Sequence, residues 1–246
     1  MVLRNARVRG SKGTWAGHSD PRNRLLEALT GEDWAQLEPV LERVDLSVLQ
    51  LIEGDGAPSP WLHFPESAII SVVTTLADGR QVEVGTVGNE GMSGLHAWLD
   101  ADQGDGETLC HVAGAALRGR ATDVIAVAAA RPNIRRLLGR YAGAYITLVA
   151  QGTACNRMHP LEQRCARWLL MTHDRLSSRH LLVTREFLAA MLGVPSAGAT
   201  IAIRALRDNG LIRASHQRVD ILDRVGLERA SCECYLRVRG HFDRLS

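Results

Sequence analysis

Hydrophobic residues recur with two different spacings along the chain, and the changes between these spacings divide it into parts. Between residues 45 and 117 they alternate with polar residues or form short β-branched runs that glycine-containing turns interrupt. Between residues 132 and 159 they recur at steps of three and four, which is typical of a long helix. Residues 183–222 show two short helical patterns and then two strand-like segments. The pattern predicts short strands, a long helix and a compact helical domain that ends in a hairpin.

The alternating region predicts short strands, among them residues 45–51, 68–76, 81–87 and 108–113. Asp78-Gly79 favours the turn whose twist matches that of paired strands, so residues 75–81 predict a β-hairpin. Short strands at this spacing are typical of an antiparallel barrel or jelly roll. Two short helices are predicted before them, at residues 21–29 and 33–44, and Thr30 or Asp33 caps the second.

Residues 183–222 predict a helix-turn-helix. Thr184 is placed to cap the first helix, and Gly193 ends it because glycine enters the left-handed conformation without a Cβ penalty. The second helix begins after Pro195, stops at Asn209-Gly210 and directs four small or apolar side chains inward: Ala199, Ala202, Ile203 and Leu206. Residues 211–212 and 219–222 add a hairpin wing, joined across residues 215–217. Such a motif inserts its second helix into the DNA major groove. The alternative interpretation is a plain helical hairpin inside an enzyme.

The long helix is predicted to run from about Pro132 to His159, where Pro160 discourages continuation. Its apolar positions alternate spacings of four and three, which is the pattern of a two-stranded coiled coil. These positions are Ile134, Leu138, Tyr141, Tyr145, Leu148, Gly152 and Cys155. We therefore expect a symmetric homodimer through this face. The alternative is a helix that is buried against its own domain.

Two further helices complete the C-terminal pattern. Residues 161–176 direct Trp168 and Leu169 inward, and Asp223 caps a last helix that carries the apolar residues from Val225 to Val238. Cys232-x-Cys234 with His241 could contribute to a metal site. The spacing lacks a second Cys-x-x-Cys pair, however, so packing of the last helix is the favoured interpretation. We predict no metal and no cofactor.

Charge is distributed unevenly. Residues 38–117 contain 13 acidic residues and two arginines, a net charge of −11, whereas residues 118–246 contain 21 arginines and 10 acidic residues, a net charge of +11. A basic half of this kind suits a polyanionic partner, and nucleic acid is the obvious candidate. The alternative is that these arginines only solvate helix faces.

Composition excludes several classes of protein. The chain is 46% hydrophobic and 23% charged, as in globular proteins, and no apolar run reaches the ~18 residues of a membrane span. Residues 1–19 are rich in Arg, Gly and Ser and have no periodic pattern, so they are predicted to form a disordered tail. Five cysteines in mostly apolar helical patterns suit a reducing compartment, so we expect a cytoplasmic location without membrane association. No phosphate-binding loop, nucleophile elbow or zinc-protease motif is present, so an enzyme is not predicted.

Six short motifs extend this interpretation. They are Phe64-Pro65-Glu66-Ser67, Leu76-Ala77-Asp78-Gly79-Arg80, Gly88-Asn89-Glu90-Gly91-Met92, residues 155–162 (CNRMHPLE), Arg167-Trp168-Leu169-Leu170 and Ser231-Cys232-Glu233-Cys234-Tyr235. With the order of the predicted elements, they resemble the Crp/Fnr family of bacterial transcription regulators from about Pro21 onward.

The resemblance implies an α+β fold in three parts. They are a cyclic-nucleotide-binding-like β-roll (jelly roll) at residues 20–130, a dimerisation helix at 131–160 and a winged helix-turn-helix domain at 161–246. It also implies a homodimer that binds double-stranded DNA at a pseudo-palindromic site, one recognition helix in each major-groove half-site. RNA polymerase and a small-molecule effector are further candidate partners.

The effector region departs from the cyclic-AMP-binding members. Those members follow a glycine-glutamate turn with an Arg-Ser or Arg-Thr pair whose arginine holds the cyclic phosphate, whereas the pair here is Glu107-Thr108. A carboxylate repels a phosphate, so we predict no cyclic-AMP binding. Residues that could contact another effector are Gly88, Asn89, Glu90, Gly91, Met92, Ser93, Glu107 and Thr108, since a glycine-rich turn has backbone amides that can cradle an anion. No cysteine precedes Cys110, which argues against the N-terminal iron–sulfur cluster of other members.

The predicted recognition helix also departs from the family, which presents Arg and Glu near its start. The matching positions here are Ser196 and Ala197. Base contacts are then expected from the methyl groups of Ala197 and Ile201 and from the Thr200 hydroxyl, together with deformation of the site. Phosphate contacts are expected from Arg185, Arg204, Arg207, Arg213 and Arg218. The sequence therefore predicts a dimeric, sequence-specific transcription regulator. The rival is a family member that acts through protein–protein interaction without specific DNA readout.

Overall fold

A computed structural model describes residues 22–54, 56, 59–101, 106–176, 180–215 and 217–245, and the predicted tail at residues 1–19 lies outside these ranges. The chain divides into two compact units. The N-terminal unit comprises the described residues up to Val73, Thr86–Tyr145 and the last residues from Arg244; the C-terminal unit comprises Thr74–Gly85 and Ile146–Asp243. The border between the units therefore falls within the long helix, whereas the predicted domain ranges place that helix in a segment of its own.

Seven antiparallel strands precede the long helix in the described residues. They are β1 (Leu41–Leu46), β2 (Leu51–Glu53), β3 (Trp61–Pro65), β4 (Ile69–Thr75), β5 (Gln81–Val87), β6 (Glu107–Val112) and β7 (Gly114–Arg120). They form the body of the N-terminal unit, except for the end of β4 and most of β5, which belong to the C-terminal unit. One sheet has the order β1-β7-β3 and the other β2-β6-β4-β5. A shared core contains Leu46, Ala68, Ile70, Val87, Cys110 and Ala116. This architecture confirms the predicted fold class, a β-roll followed by a long helix and a helix-turn-helix.

Turn chemistry explains where the strand predictions succeed and fail. The hairpin between β4 and β5 is confirmed, with Gly79 at a φ of 82° and the Leu76 amide donating to the Arg80 carbonyl at 2.8 Å. The strand predicted at residues 45–51 is wrong, because a turn that puts Leu49 at a φ of 63° separates β1 from β2. β3 and β7 are strands that the pattern did not indicate.

The helices of the N-terminal unit are α1 (Arg24–Glu27), α2 (Gly31–Leu37), α3 (Leu95–Trp98) and α4 (Ala121–Ala130). Thr30 caps α2 by accepting from the Asp33 amide at 3.2 Å, as predicted. The helix predicted up to residue 44 ends earlier, since a 3₁₀ turn at Glu38–Val40 containing Pro39 leads directly into β1. Hydrogen bonds from Arg131, Thr30 and Asn133 outweigh the opposing effect of burial and lower the pKa of Asp33.

The long helix is α5 (Pro132–Met158); it begins at Pro132 as predicted and ends one residue before the predicted His159. After it, the C-terminal unit contains α6 (Leu161–His173), β8 (His180–Leu182), α7 (Arg185–Leu192), α8 (Ser196–Asp208), β9 (Ile212–Ala214), β10 (Arg218–Ile221), α9 (Arg224–Ala230) and α10 (Cys234–Phe242). The wing has three strands in the order β8-β10-β9, one more than predicted.

The single last helix predicted after Asp223 is wrong, because it is broken between α9 and α10. Ser231 is extended, with φ −79° and ψ 163°, and its hydroxyl donates to the Glu228 carbonyl at 2.8 Å. Asp223 nevertheless caps α9 as predicted, accepting from the Gly226 amide at 2.8 Å. The break turns Cys232 and Cys234 toward the end of α5, as described below.

Contacts within the C-terminal unit include the tip of the β4–β5 hairpin. The indole Nε1 of Trp168 donates to Glu83 Oε2 at 2.8 Å. A Cβ added at Gly193 would lie 2.9 Å from Cγ2 of Val82. The hairpin thus lies against α6 and the turn of the helix-turn-helix. Among the described helices, none alone is long and apolar enough to cross a membrane. Of these helices, only the bent pair α7 and α8, taken together, has the length and composition of a membrane span.

Candidate nucleic-acid interface

The turn between α7 and α8 has the local chemistry of a helix-turn-helix. Thr184 caps α7 by accepting from the Phe187 amide at 3.1 Å, and Gly193 ends it at a φ of 64°. The two helices change direction by 103°, within the range that this motif adopts. The four residues predicted to point inward from α8 are all buried. The predicted boundaries, caps and inward face of the motif are therefore confirmed.

The outer face of α8 has few polar side chains in its first two turns. Ser196 and Ala197 are exposed in its first turn, and Ile201 is 68% exposed one turn later. Thr200 is half-buried, and its hydroxyl donates to the Ser196 carbonyl at 2.9 Å. Because that proton is already used, the hydroxyl offers DNA only its acceptor lone pairs. The first two turns of α8 can therefore present methyl groups and acceptors to a groove, and few donors.

The predicted phosphate-binding arginines fall into two groups. Arg185, Arg204 and Arg213 are exposed and form no ion pair or side-chain hydrogen bond with any residue that the structure describes. Arg207 instead pairs with its neighbour Asp208, with Nη2 to Oδ1 at 2.8 Å. The first group therefore has its guanidinium groups available, whereas Arg207 would have to leave a carboxylate to reach a phosphate.

Arg218 belongs to a small network at the base of the wing. Its Nε donates to Asp220 Oδ1 at 2.7 Å, and Nδ1 of His180 lies 2.8 Å from the same oxygen. The hydrogen bond from Arg218 lowers the pKa of Asp220, with a smaller contribution from His180. This network links β8 to β10, so Arg218 shapes the wing. His180 and β8 carry no sequence signal that would have revealed them.

Arg224 is a second arginine with a structural role. Its guanidinium pairs with Asp174 at 2.6 Å and with Glu228 at 2.8 Å, and it also donates to the Tyr235 hydroxyl. The Tyr235 hydroxyl donates in turn to Asp174 at 2.8 Å. This network joins α9 and α10 to the segment after α6. Arg224 is not among the predicted DNA-binding arginines, and its guanidinium is occupied by this network.

Residues 163–230 match the family model described as a Crp-like helix-turn-helix domain. The chain carries a Crp-like helix-turn-helix domain. The match begins within α6, includes α7, α8 and the wing, and stops at the last residue of α9.

Solved structures extend the likeness beyond this domain. FixK2 from Bradyrhizobium japonicum is similar at a TM-score of 0.68 and 14% identity, over 78% of this chain and 98% of that one. A CRP/FNR-family regulator from Thermus thermophilus is similar at a TM-score of 0.65 and 17% identity, over 77% of this chain and 98% of that one. The c-di-GMP responsive regulator CLP from Xanthomonas campestris is similar at a TM-score of 0.64 and 15% identity, over 78% of this chain and 99% of that one. No curated protein sequence matches the chain significantly. The resemblance to the Crp/Fnr family is thus confirmed, and these structures establish the fold.

The glycine-rich turn of this Crp/Fnr fold does not present the free amides that were expected. The Gly88 amide donates to Glu90 Oε1 at 3.3 Å, the Gly91 amide to the Gly88 carbonyl at 3.2 Å and the Ser93 amide to the His63 carbonyl at 2.9 Å. Gly88 to Ser93 are mostly buried, and only Asn89 is half-buried. These three amides are therefore used within the protein and are not available to cradle an anion.

Thr108 of the pair Glu107-Thr108 lies beside a second carboxylate. Thr108 is buried on β6, and its hydroxyl donates to Glu53 Oε2 at 3.4 Å. Glu53 is itself buried and accepts from the Ser59 amide at 3.0 Å. Glu107 is half-buried on the same strand. The carboxylate beside Thr108 is therefore that of Glu53, whereas Glu107 precedes Thr108 on the strand and points to the opposite face of the sheet.

The structure corrects the predicted dimer face of α5, because it buries that face within the chain. Ile134, Leu138, Tyr141, Leu148 and Cys155 are buried within a single chain, and Tyr145 and Gly152 are half-buried. These side chains pack against their own units and cannot also form the centre of an interface. The heptad pattern records burial of this face, which is the alternative that the sequence left open. A dimer through α5 must use another side of the helix.

The opposite side of α5 is exposed and has the same spacing. Its residues are Gly139, Gly143, Ile146, Ala150 and Thr153, all exposed, with Ile146 at 62%. Steps of four and three place them along one line of the helix, about half a turn from the buried face. A Cβ at Gly139 or Gly143 would meet nothing within 4 Å. We call this line the exposed stripe.

Cys232 and Cys234 have partners that sequence spacing could not indicate. They meet Cys155 and His159 from the end of α5, and the four donor atoms lie within 4.8 Å of one another. His241, the candidate partner in the sequence, is not part of this group. Sequence reasoning missed the group because its two pairs are separated by more than 70 residues and meet only through the fold.

Proposed function

We propose that the protein is a homodimeric, sequence-specific DNA-binding transcription regulator of the Crp/Fnr type, acting in the cytoplasm on promoter DNA. The observation that carries the proposal is the outer face of α8 and its surroundings, where Arg185, Arg204 and Arg213 are exposed and have no intramolecular partner in the described chain. A helix-turn-helix with free guanidinium groups at its rim is suited to bind the phosphates on either side of a major groove.

Electrostatics support a polyanionic partner for this half of the chain. Residues 118–246 carry a net charge of +11. The unpaired arginines lie on α7, α8 and β9, around the helix that would enter the groove. Binding is expected to release condensed counterions, so affinity should fall steeply as salt rises.

Sequence readout is proposed to come from apolar contacts. Ala197 and Ile201 present methyl groups that can contact thymine, and Thr200 can accept one hydrogen bond. None of these side chains makes the two-point contacts with guanine by which arginine gives strong discrimination. We therefore expect a preference for A·T-rich half-sites and a further contribution from DNA deformability.

We propose that two copies associate through the exposed stripe of α5. Small residues at Gly139, Gly143 and Ala150 would let two parallel helices approach closely, and Ile146 would lie at the centre of the contact. A two-fold symmetric dimer matches a pseudo-palindromic operator because each subunit presents one recognition helix to one half-site.

The N-terminal unit is proposed to sense a small molecule other than cyclic AMP or to be a structural platform. The carboxylate of Glu53 disfavours a phosphate beside Thr108, and no arginine lies at the family's phosphate position. CLP responds to c-di-GMP, but its 15% identity to this chain transfers the fold and not the ligand. Calorimetry with cyclic AMP should give no binding; micromolar affinity that Glu90→Gln removes would contradict this part of the proposal.

The decisive experiment selects genomic fragments bound by the full-length protein and measures affinity for the enriched site against an unrelated duplex at several salt concentrations. We expect an enriched, pseudo-palindromic motif and a specificity ratio well above one at fixed salt. Salt-dependent binding without an enriched motif would reject specific readout. If no DNA is bound at any salt, the rival proposal of a protein-interaction domain is favoured, which the exposed Ile201 and Ala197 make chemically reasonable.

A further inference from the structure

The cysteine cluster consists of Cys155, His159, Cys232 and Cys234. The first two lie four residues apart at the end of α5, so both point to the same side of that helix. The other two flank Glu233: Cys232 lies in the short break between α9 and α10, and Cys234 is the first residue of α10. All four belong to the C-terminal unit. The broken last helix therefore has a chemical consequence, since a continuous helix would not present both sulfurs to α5.

Distances within the cluster fit one small ion. The sulfurs of Cys155 and Cys232 are 3.4 Å apart, and Cys234 Sγ lies 3.6 Å from Nδ1 of His159. A tetrahedral zinc with bonds of about 2.0–2.3 Å separates its ligand atoms by roughly 3.3–3.8 Å. A disulfide would need the sulfurs at about 2.05 Å. The observed separations correspond to two ligands of the same ion.

Groups around the cluster orient and polarise the four donors. Nε2 of His159 lies 3.2 Å from Glu233 Oε2, which leaves Nδ1 to face the sulfurs. A carboxylate on the far nitrogen is the usual outer partner of a metal-binding histidine. Nε2 of Gln151 donates to Cys234 Sγ at 3.1 Å, and such a hydrogen bond stabilises a thiolate.

The electrostatic surroundings favour an anionic ligand set. Three thiolates, a neutral histidine and Zn²⁺ carry a net charge of −1. The guanidinium groups of Arg164 and Arg167 lie close enough to Cys155 to interact with it electrostatically. Nε of Arg167 is buried and has no hydrogen-bond partner among the described residues. The positive charge of these arginines offsets the excess negative charge that metal binding would leave.

We propose that the cysteine cluster binds one Zn²⁺ ion in each chain as a closed Cys₃His structural site. The three cysteines are buried, and with His159 they provide four protein ligands, so no position is left open for a substrate. An iron–sulfur cluster does not fit, because its ligands surround several atoms and would lie farther apart than 4.8 Å. The zinc fastens the start of α10 to the end of α5 and so stabilises the C-terminal unit.

The first test measures metal content of the full-length protein, purified with reductant and without added metal. Elemental analysis should find about one zinc per chain. Cys234→Ser should lose most of it, whereas Cys165→Ser, a buried cysteine of the same unit outside the cluster, should keep it. Absence of zinc from the parent, or zinc retained by Cys234→Ser at the parent's level, would overturn the proposal, as would a Cys155–Cys232 disulfide or acid-labile sulfide in the isolated protein.

The second test uses the cluster's optical signature and does not depend on folding of a cysteine variant. Co²⁺ added to metal-free protein should give thiolate charge-transfer bands and the strong visible absorption of a tetrahedral ion. Glu233→Gln changes a side chain that is 75% exposed, so it should fold normally and bind Co²⁺ about 10–100-fold more weakly in chelator competition. His241→Gln should bind as the parent does. Absence of a tetrahedral Co²⁺ spectrum contradicts the proposal whether or not the protein binds DNA.

Discussion

Tyr141 of α5 occupies the space that a side chain at Gly91 would need. A Cβ added at Gly91 would lie 2.5 Å from Cζ and from the hydroxyl oxygen of the tyrosine. The same hydroxyl donates to the Met92 carbonyl at 2.8 Å, and Asn23 donates to the Gly91 carbonyl at 2.9 Å. Gly91 thus joins the glycine-rich turn to α5. The motif Gly88-Asn89-Glu90-Gly91-Met92 has a packing reason that is independent of any ligand.

Gly91→Ala is expected to destabilise the N-terminal unit by about 1–3 kcal/mol, because the buried ring can move only by disturbing its neighbours. Urea unfolding measures the loss. Gly152→Ala is the matched control, since a Cβ there meets nothing within 4 Å and alanine favours a helix. Adding Tyr141→Leu to Gly91→Ala should cost less than the sum of the two single changes. Strict additivity would contradict the steric explanation.

Arg204→Ala is expected to weaken binding to every DNA sequence. Loss of one phosphate contact in each half-site should lower the slope of log affinity against log salt by about one per subunit. Filter binding or fluorescence anisotropy over a salt series gives both values. Arg207→Ala should have a smaller effect, because Arg207 is paired with Asp208.

Ile201→Ala provides the complementary control on the same helix. It should lower affinity for the selected site and leave the salt slope and non-specific binding unchanged, since it removes a methyl contact and no charge. An unchanged affinity of Arg204→Ala at fixed salt would exclude Arg204 from the interface.

The sequence predicts best those features that neighbouring residues determine. The Thr184 cap, the Gly193 stop and the four inward residues of α8 were predictable because capping and helical periodicity act within a few residues. Features that depend on the fold were not predictable. A heptad on α5 marks a buried face but does not say what covers it, and Cys155 meets Cys232 only after α9 and α10 are placed. β7 escaped prediction because its small residues alternate weakly and its strand partners are distant in sequence.

Ile146→Arg is expected to disrupt the dimer, because it places a charge at the centre of the exposed stripe on each subunit. Sedimentation velocity should show a shift toward monomer and a large loss of affinity for a two-half-site operator. Met158→Arg is the matched control on the same helix, 75% exposed at its end and off the line of the stripe. If the parent, Ile146→Arg and Met158→Arg have equal dimer content, the interface lies elsewhere.

His63 makes the N-terminal unit sensitive to acid. Burial lowers the pKa of His63 from 6.5 to about 4, and Arg118, its partner across β3 and β7, acts in the same direction. The folded protein therefore holds His63 neutral, while the unfolded chain binds a proton below about pH 6.5. His63 leaves the free energy of unfolding at its full value above pH 6.5. As the pH falls toward 4, it lowers the free energy of unfolding by up to about 3 kcal/mol. Urea midpoints between pH 7 and 4.5 should fall less steeply for His63→Gln than for the parent. His96→Gln, a more exposed histidine of the same unit, should keep the parent's slope, and a parental slope in His63→Gln would assign the acid sensitivity to another group.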